Sequence, residues 1–199
     1  MNAYQAIIER RSLRQLNTVP VAKQLVQKLL YAAVLAPAPH HTKPWRFVML
    51  ESDGSRKRLA EAMGAAWRED LERDGVSDTQ IAKLLSRSQR QIESAPALIL
   101  ACIVAEGLRH WPDEKRTRAE FRMAVQSIGC ALENIMVAAN AEGLGSFWIS
   151  APLFCPDAVR EALDLPPEYE AQALVSIGYP AGEPKPRAEP DLAKLIKTA

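Results

Sequence analysis

Pro96-Ala97-Leu98-Ile99-Leu100-Ala101-Cys102-Ile103-Val104 decides the fold. The run is apolar throughout, with no polar residue at alternate positions. A half-exposed strand alternates; one that does not must be covered on both faces. Ala173-Leu174-Val175-Ser176-Ile177-Gly178-Tyr179 reads the same way, and Trp45 to Leu50 and Ser146 to Ile149 supply two further strands. A sheet covered on both sides needs helices, and the chain offers them between the strands.

Working outward, helices are expected over residues 3–10 and 22–34, the second with Leu25, Leu29, Leu30, Ala33 and Val34 on one wide apolar face. Ala36-Pro37-Ala38-Pro39 stops it, and Pro37, Pro39 and Pro44 restrict the loop that follows. A helix starts near Ser55 after the Asp53-Gly54 turn, and Ser77 and Asp78 suit the cap of another that runs to Glu93. Residues 67–94 are the most polar stretch, either an excursion over a site or a solvated helix pair. Residues 121–141 are apolar on most faces, as suits a central helix or one at a subunit interface. The charged stretch from His110 to Glu120 reads as a loop before it. Gly143-Leu144-Gly145 ends that helix, a small helix runs from Pro156 to Leu163, and the proline-rich residues 180–199 form an extended arm. Helices and strands mixed in this order give an α+β chain, one domain over residues 1–199.

The 199 residues can bury roughly 70% of their extended surface, so no staples are needed. Lys plus Arg total 25 and Asp plus Glu 24, a balance that creates no bulk field for nucleic acid. The apolar runs are too short to span a bilayer, and the opening Met1-Asn2-Ala3-Tyr4-Gln5 lacks a signal-peptide core; a cytoplasmic protein is expected. Cys102, Cys130 and Cys155 form no CxxC pair and read as reduced core or near-core thiols. No metal site is expected, since His40 and His41 lack further ligands and no HExxH occurs. Neither a GxGxxG after a strand, a P-loop, nor a GxSxG elbow is present. What remains is Arg10-Arg11-Ser12-Leu13-Arg14, three guanidinium groups and a hydroxyl at a helix end: a phosphate clamp or plain surface charge.

Four segments, taken together, resemble the nitroreductase superfamily. They are Arg10 to Arg14, Ala36 to Phe47 with its paired histidines, Glu142 to Ile149, and Ile177-Gly178-Tyr179-Pro180 followed by Lys185-Pro186-Arg187. The resemblance implies a central, mostly antiparallel sheet flanked by helices, a homodimer with flavin mononucleotide (FMN) at its interface, and ping-pong hydride transfer. Within the superfamily the chain looks most like the flavin-binding C-terminal domain of the coenzyme F420 gamma-glutamyl ligase. That implies reduction of a deazaflavin precursor, dehydro-F420-0. A general NAD(P)H-dependent nitro or quinone reductase and a non-catalytic flavin or deazaflavin module are the alternatives.

The cofactor residues implied are Arg10, Arg11, Ser12, Arg14, the loop residues Pro37, Ala38, Pro39, His40 and His41, then Trp148, Ile149 and Ser150 beside the flavin N5, and Arg187 at the phosphate. Lys43, Trp111 and Arg116 are expected to meet the substrate, with Lys115 and Arg118 adding charge for an anionic acceptor. No side chain stands out as a catalytic acid or base. Ala38, His41 and Lys43 stand where the family usually has serine, asparagine and glutamine, and Ser150 follows Trp148-Ile149 where glycine is usual.

Overall fold

The computed structural model describes residues 1–184 and 187–198. Its order is α1 (Ala3–Glu9), α2 (Lys23–Val34), β1 (Trp45–Met49), α3 (Asp53–Arg73), α4 (Asp78–Glu93), β2 (Ala97–Ile103), α5 (Glu114–Ala141), β3 (Gly145–Ile149), α6 (Pro156–Ala162), β4 (Glu170–Gly178) and α7 (Leu192–Leu195). The four strands form one antiparallel sheet in the order β1-β2-β4-β3. The fold is α+β, a central antiparallel sheet flanked by helices.

The unalternating strand is explained by what lies on either side. Ile99, Ala101 and Ile103 of β2 pack with α2 and α5, while Leu98, Leu100 and Cys102 pack with α3, α4 and α6. Leu29, Leu132 and Ile135 are fully buried on the first side, Leu59 and Leu174 on the second. Each such side chain contributes about 1.5–3 kcal/mol. Side-chain amides tie the helices: Asn134 donates to the Ala32 carbonyl and Asn140 to that of Ala6, both at 3.0 Å.

The long helix α5 begins at Glu114, not at residue 121. Asp113 caps it, accepting from the Arg116 amide at 2.9 Å, and Arg116–Asp113 and Arg118–Glu114 pairs support its first turns. The charged run is therefore solvated helix rather than loop. At the other end Gly143 (φ +75) closes a Schellman motif, with Leu144 N–H on Ala139 O and Gly143 N–H on Asn140 O. Two short helical pieces, Ala151–Phe154 and α7, were not expected from periodicity. Residues 67–94 are the end of α3 and all of α4, packed on each other with Ile81 and Ile92 buried. The thiols divide: Cys102 is buried, Cys155 half-buried, and Cys130 exposed rather than near-core. Burial pushes the Cys102 thiol up to about 12, so it is inert.

Outside the strands, residues 12–17 lie along the open edge of β3 and the end of β4. Leu13 N–H donates to Ser146 O at 2.9 Å, Asn17 N–H to Tyr179 O at 2.9 Å, and Ala181 N–H to Gln15 O at 3.1 Å. Gly178 permits this close approach, since a Cβ there would stand 2.6 Å from Pro96 and 3.2 Å from Leu16. This placement carries Arg14 onto the sheet. No helix among the described residues is long and apolar enough to cross a membrane.

Candidate flavin site

The edge segment, α4 and the β3–β4 pair meet at one end of the sheet. They enclose a cleft of about 410 Å³ lined by Arg14, Arg87, Arg90, Ser94, Phe147 and Ser176, among others. The Arg14 guanidinium lies 5.9 Å from the Phe147 ring centroid. Arg87 and Arg90 are one turn apart on α4 and so share a face. Among the described residues none of the three arginines has a carboxylate partner; Arg90 donates to the Ser86 hydroxyl. Ser176 is 1% exposed, and its hydroxyl has no partner. An orphaned buried hydroxyl costs stability, so a cleft that keeps one is suited to a ligand that supplies the missing bond. Ser176 is at the same time a polar interruption in the apolar run from Ala173 to Ile177 of β4.

Two residues expected at the phosphate, Arg10 and Arg187, come together from opposite ends of the chain. Arg10 donates through Nε to Glu133 at 2.9 Å, and Arg187 donates to the Arg10 carbonyl at 2.7 Å across 177 residues of sequence. Glu133 thus fixes the Arg10 side chain while its two terminal nitrogens remain for an anion. Arg11 turns away, donating to the carbonyls of Ile8 and Arg10. Ser12 is exposed and bridges to Ser146. Lys185 and Pro186 lie outside the described residues. Ser146 turns its backbone outward to residues 12–13, and the period of two puts Trp148 outward as well. Trp148 therefore presents an edge amide one residue beyond Phe147 of the cleft, whatever its side chain does; the Trp148 indole N–H itself is buried without a partner.

The remaining predicted residues gather elsewhere. Pro39, His40 and His41 form a tight turn at the start of α5, after Pro37 and the half-buried Ala38. Lys43 is exposed. Trp111 stacks under the Arg116 guanidinium at 4.8 Å, and Arg116 also pairs with Asp113. Glu120, which faces His40, and Glu133, which holds Arg10, are more than three turns apart on α5, about 20 Å along its axis. Within one chain, the histidine loop and the arginine clamp do not meet. No cluster of three or more His, Cys, Asp or Glu side chains suited to a metal is assembled among the described residues.

Sequence reasoning missed Arg87, Arg90, Ser94 and Ser176. The one available signal was the pair of arginines three apart in the polar stretch just before the buried strand β2.

The cleft suits a flavin on chemical grounds. The pyrimidine edge of the ring offers carbonyl oxygens and ring nitrogens, and three guanidinium groups and a hydroxyl face that inventory. Comparison with known proteins identifies the family. The model of the Nitroreductase family matches residues 7–179. The chain is 30% identical over 188 residues to 5,6-dimethylbenzimidazole synthase of Rhodospirillum rubrum, covering 90% of this chain and 83% of that protein. Among solved structures it is similar to a BluB-like flavoprotein from Clostridium difficile 630, with a TM-score of 0.82, 22% identity, and coverage of 100% and 99%. An NADPH:FMN oxidoreductase from Vibrio harveyi shares the fold at a TM-score of 0.74 and 19% identity, with coverage of 100% and 77%.

Proposed function

The chain belongs to the nitroreductase family and is an FMN-dependent oxidoreductase, and on that premise we propose a general NAD(P)H-dependent reductase of nitro, quinone and related conjugated acceptors. The observation that carries this reading is the cleft in which Arg14, Arg87, Arg90 and the unpartnered Ser176 hydroxyl converge beside the open edge of β3. FMN, when bound, supplies the hydride chemistry. Arg14, Arg87 and Arg90 would hold the acceptor-rich edge of the ring, where their positive charge would favour the reduced form. Arg10 and Arg187 hold the phosphate, with Ser12 on the ribityl chain. The backbone of Trp148 to Ser150 supplies a donor at the ring's redox edge.

The second half of the site comes from a second copy. Tyr4, Ile7 and Ile8 on α1, and Tyr31 and Leu35 at α2, are large apolar side chains that are at least half exposed. A second copy packed on this face would let the 37–41 loop of one complete the clamp of the other, since the two lie apart within one chain. Residence in the cytoplasm suits a reaction that draws on NAD(P)H.

The narrower acceptor, dehydro-F420-0, draws little support from the charges expected to hold it. Arg116 is occupied by Asp113 and Trp111, Arg118 by Glu114, and His40 by Glu120. The relatives named above do not single out that branch either. Purified protein is expected to be yellow, to release flavin mononucleotide on heating, and after reduction by NAD(P)H to be reoxidised by a naphthoquinone and a nitrofuran. Colourless protein that gains no flavin band on incubation with FMN would sink the proposal. Reoxidation by the deazaflavin precursor alone would return the narrower function, and spectral change without reoxidation would indicate a binding module.

A further inference from the structure

Glu120 is a buried carboxylate that the flavin cleft does not use. Its residue is 3% exposed, and donors reach it from two separate loops. The Arg109 amide lies 3.2 Å from Oε1, His40 Nε2 lies 3.4 Å from the same oxygen, and the Trp111 indole N–H lies 3.2 Å from Oε2. Burial alone would push this carboxyl up; the Arg109 amide, the Trp111 indole and His40 together hold it below the usual glutamate range. It is therefore an ionised group kept inside the protein by these contacts.

The loop it holds is conformationally expensive. His40 and His41, consecutive residues with a Cβ, both sit in the left-handed region, at φ 53 and 57. Such residues persist only where the surroundings over-determine them. Thr42 closes the turn, its amide and hydroxyl both donating to Pro39 O. The loop also packs directly against the one carrying Trp111: a Cβ on Gly107 would stand 3.3 Å from Thr42 Cγ2.

We propose that Glu120 is a positioning residue that locks the 37–43 loop and the 107–112 loop into one unit, so that the flavin-lining turn and the Trp111 wall of the acceptor site are set together. The inference rests on the flavin reading above for its consequence, but not for the coupling itself. Neither histidine then needs to touch the reacting atoms; His40 acts as the strut through which Glu120 holds the turn.

The test uses the whole protein without flavin, then with FMN. Hydrogen exchange is followed over 37–43 and 107–112 in wild type, Glu120→Ala and the isosteric Glu120→Gln, and FMN is titrated into each. Glu120→Ala is expected to raise exchange in both segments together and to weaken FMN binding about tenfold. Glu120→Gln, which keeps the volume and serves if the alanine variant does not fold, is expected to do the same at about threefold. His40→Gly added to either variant is expected to restore part of the FMN affinity, because glycine adopts φ 53 without strain; a purely structural loss in the core would not respond. Unchanged FMN affinity in both Glu120 variants, or exchange rising in one segment alone, overturns the proposal. Wild type that binds no FMN, with exchange still rising in both segments of the Glu120 variants, keeps the lock and removes the flavin reading.

Discussion

Two groups of cations in this chain look unequal in sequence and prove unequal in the opposite sense. Lys115, Arg116 and Arg118 form a dense basic run, yet the two arginines are answered within a turn by Asp113 and Glu114. Arg14, Arg87 and Arg90 are scattered over more than seventy residues, yet they converge on one cleft with no carboxylate to answer them among the described residues. A run of charge on a helix neutralises itself at spacings of three and four. A binding site needs cations that the fold brings together and leaves unanswered. Density along the chain is the wrong measure; convergence is the right one.

The largest test of that contrast is Arg14→Ala. Loss of a hydrogen bond to a charged group weakens FMN binding by about 1.5–3 kcal/mol. Titration of FMN into flavin-free protein measures it, and an unchanged dissociation constant would take Arg14 out of the site. Gly178→Ala approaches the same cleft through packing. The added methyl meets Pro96 at 2.6 Å and Leu16 at 3.2 Å, so Pro96 at the rim of the cleft must shift and Leu16, two residues from Arg14, must give slightly. Denaturant unfolding is expected to show about 1–3 kcal/mol of lost stability, with weaker FMN binding beside it.

Ser176→Ala separates holding a ligand from holding the fold. It removes an unsatisfied buried oxygen, so flavin-free protein should lose no stability, while FMN affinity falls by about 1 kcal/mol. A parallel fall in both would mean that the hydroxyl serves the core. Arg116→Ala is the matched control in the self-paired run: FMN affinity should stay constant and stability change by less than about 1 kcal/mol.

The smallest effect is one of pH. The Arg116 amide first, then its guanidinium, hold the Asp113 carboxyl below the usual aspartate range. A depressed folded value means that Asp113 stabilises above the ordinary aspartate range, and that the contribution fades as pH falls through the lower folded value. Far-ultraviolet circular dichroism should therefore show the start of α5 loosening only in strong acid. Loss of helix near neutral pH would contradict the cap.

The sheet was legible in the sequence because burial on both faces leaves a mark no solvent-facing element carries: Leu98 to Val104 has nowhere to put a polar side chain. Arg10 to Arg14 and Arg187 stand out because they belong to recognisable segments. The cleft was not. Arg87 reads as one more charge on a wet helix, and Ser176 as a tolerated polar residue in a strand, until tertiary packing sets them face to face. Glu120 was hidden for a related reason. It ends a run of charge, and nothing local distinguishes it from its solvated neighbours; the donors that let it go inside come from His40, Arg109 and Trp111, on two other loops. The same charges concealed the first turns of α5, since periodicity detects a helix by its apolar stripe.

Residues 12–17 also serve the molecule in a second capacity. An edge strand with bare amides is a template on which another chain can add itself, and long flat edges are where sheets begin to stack into aggregates. By giving Leu13 N–H to Ser146 and Asn17 N–H to Tyr179, the arginine segment occupies that template. The segment that carries Arg14 is thus also the segment that keeps this end of the sheet from growing, and damage to it endangers solubility.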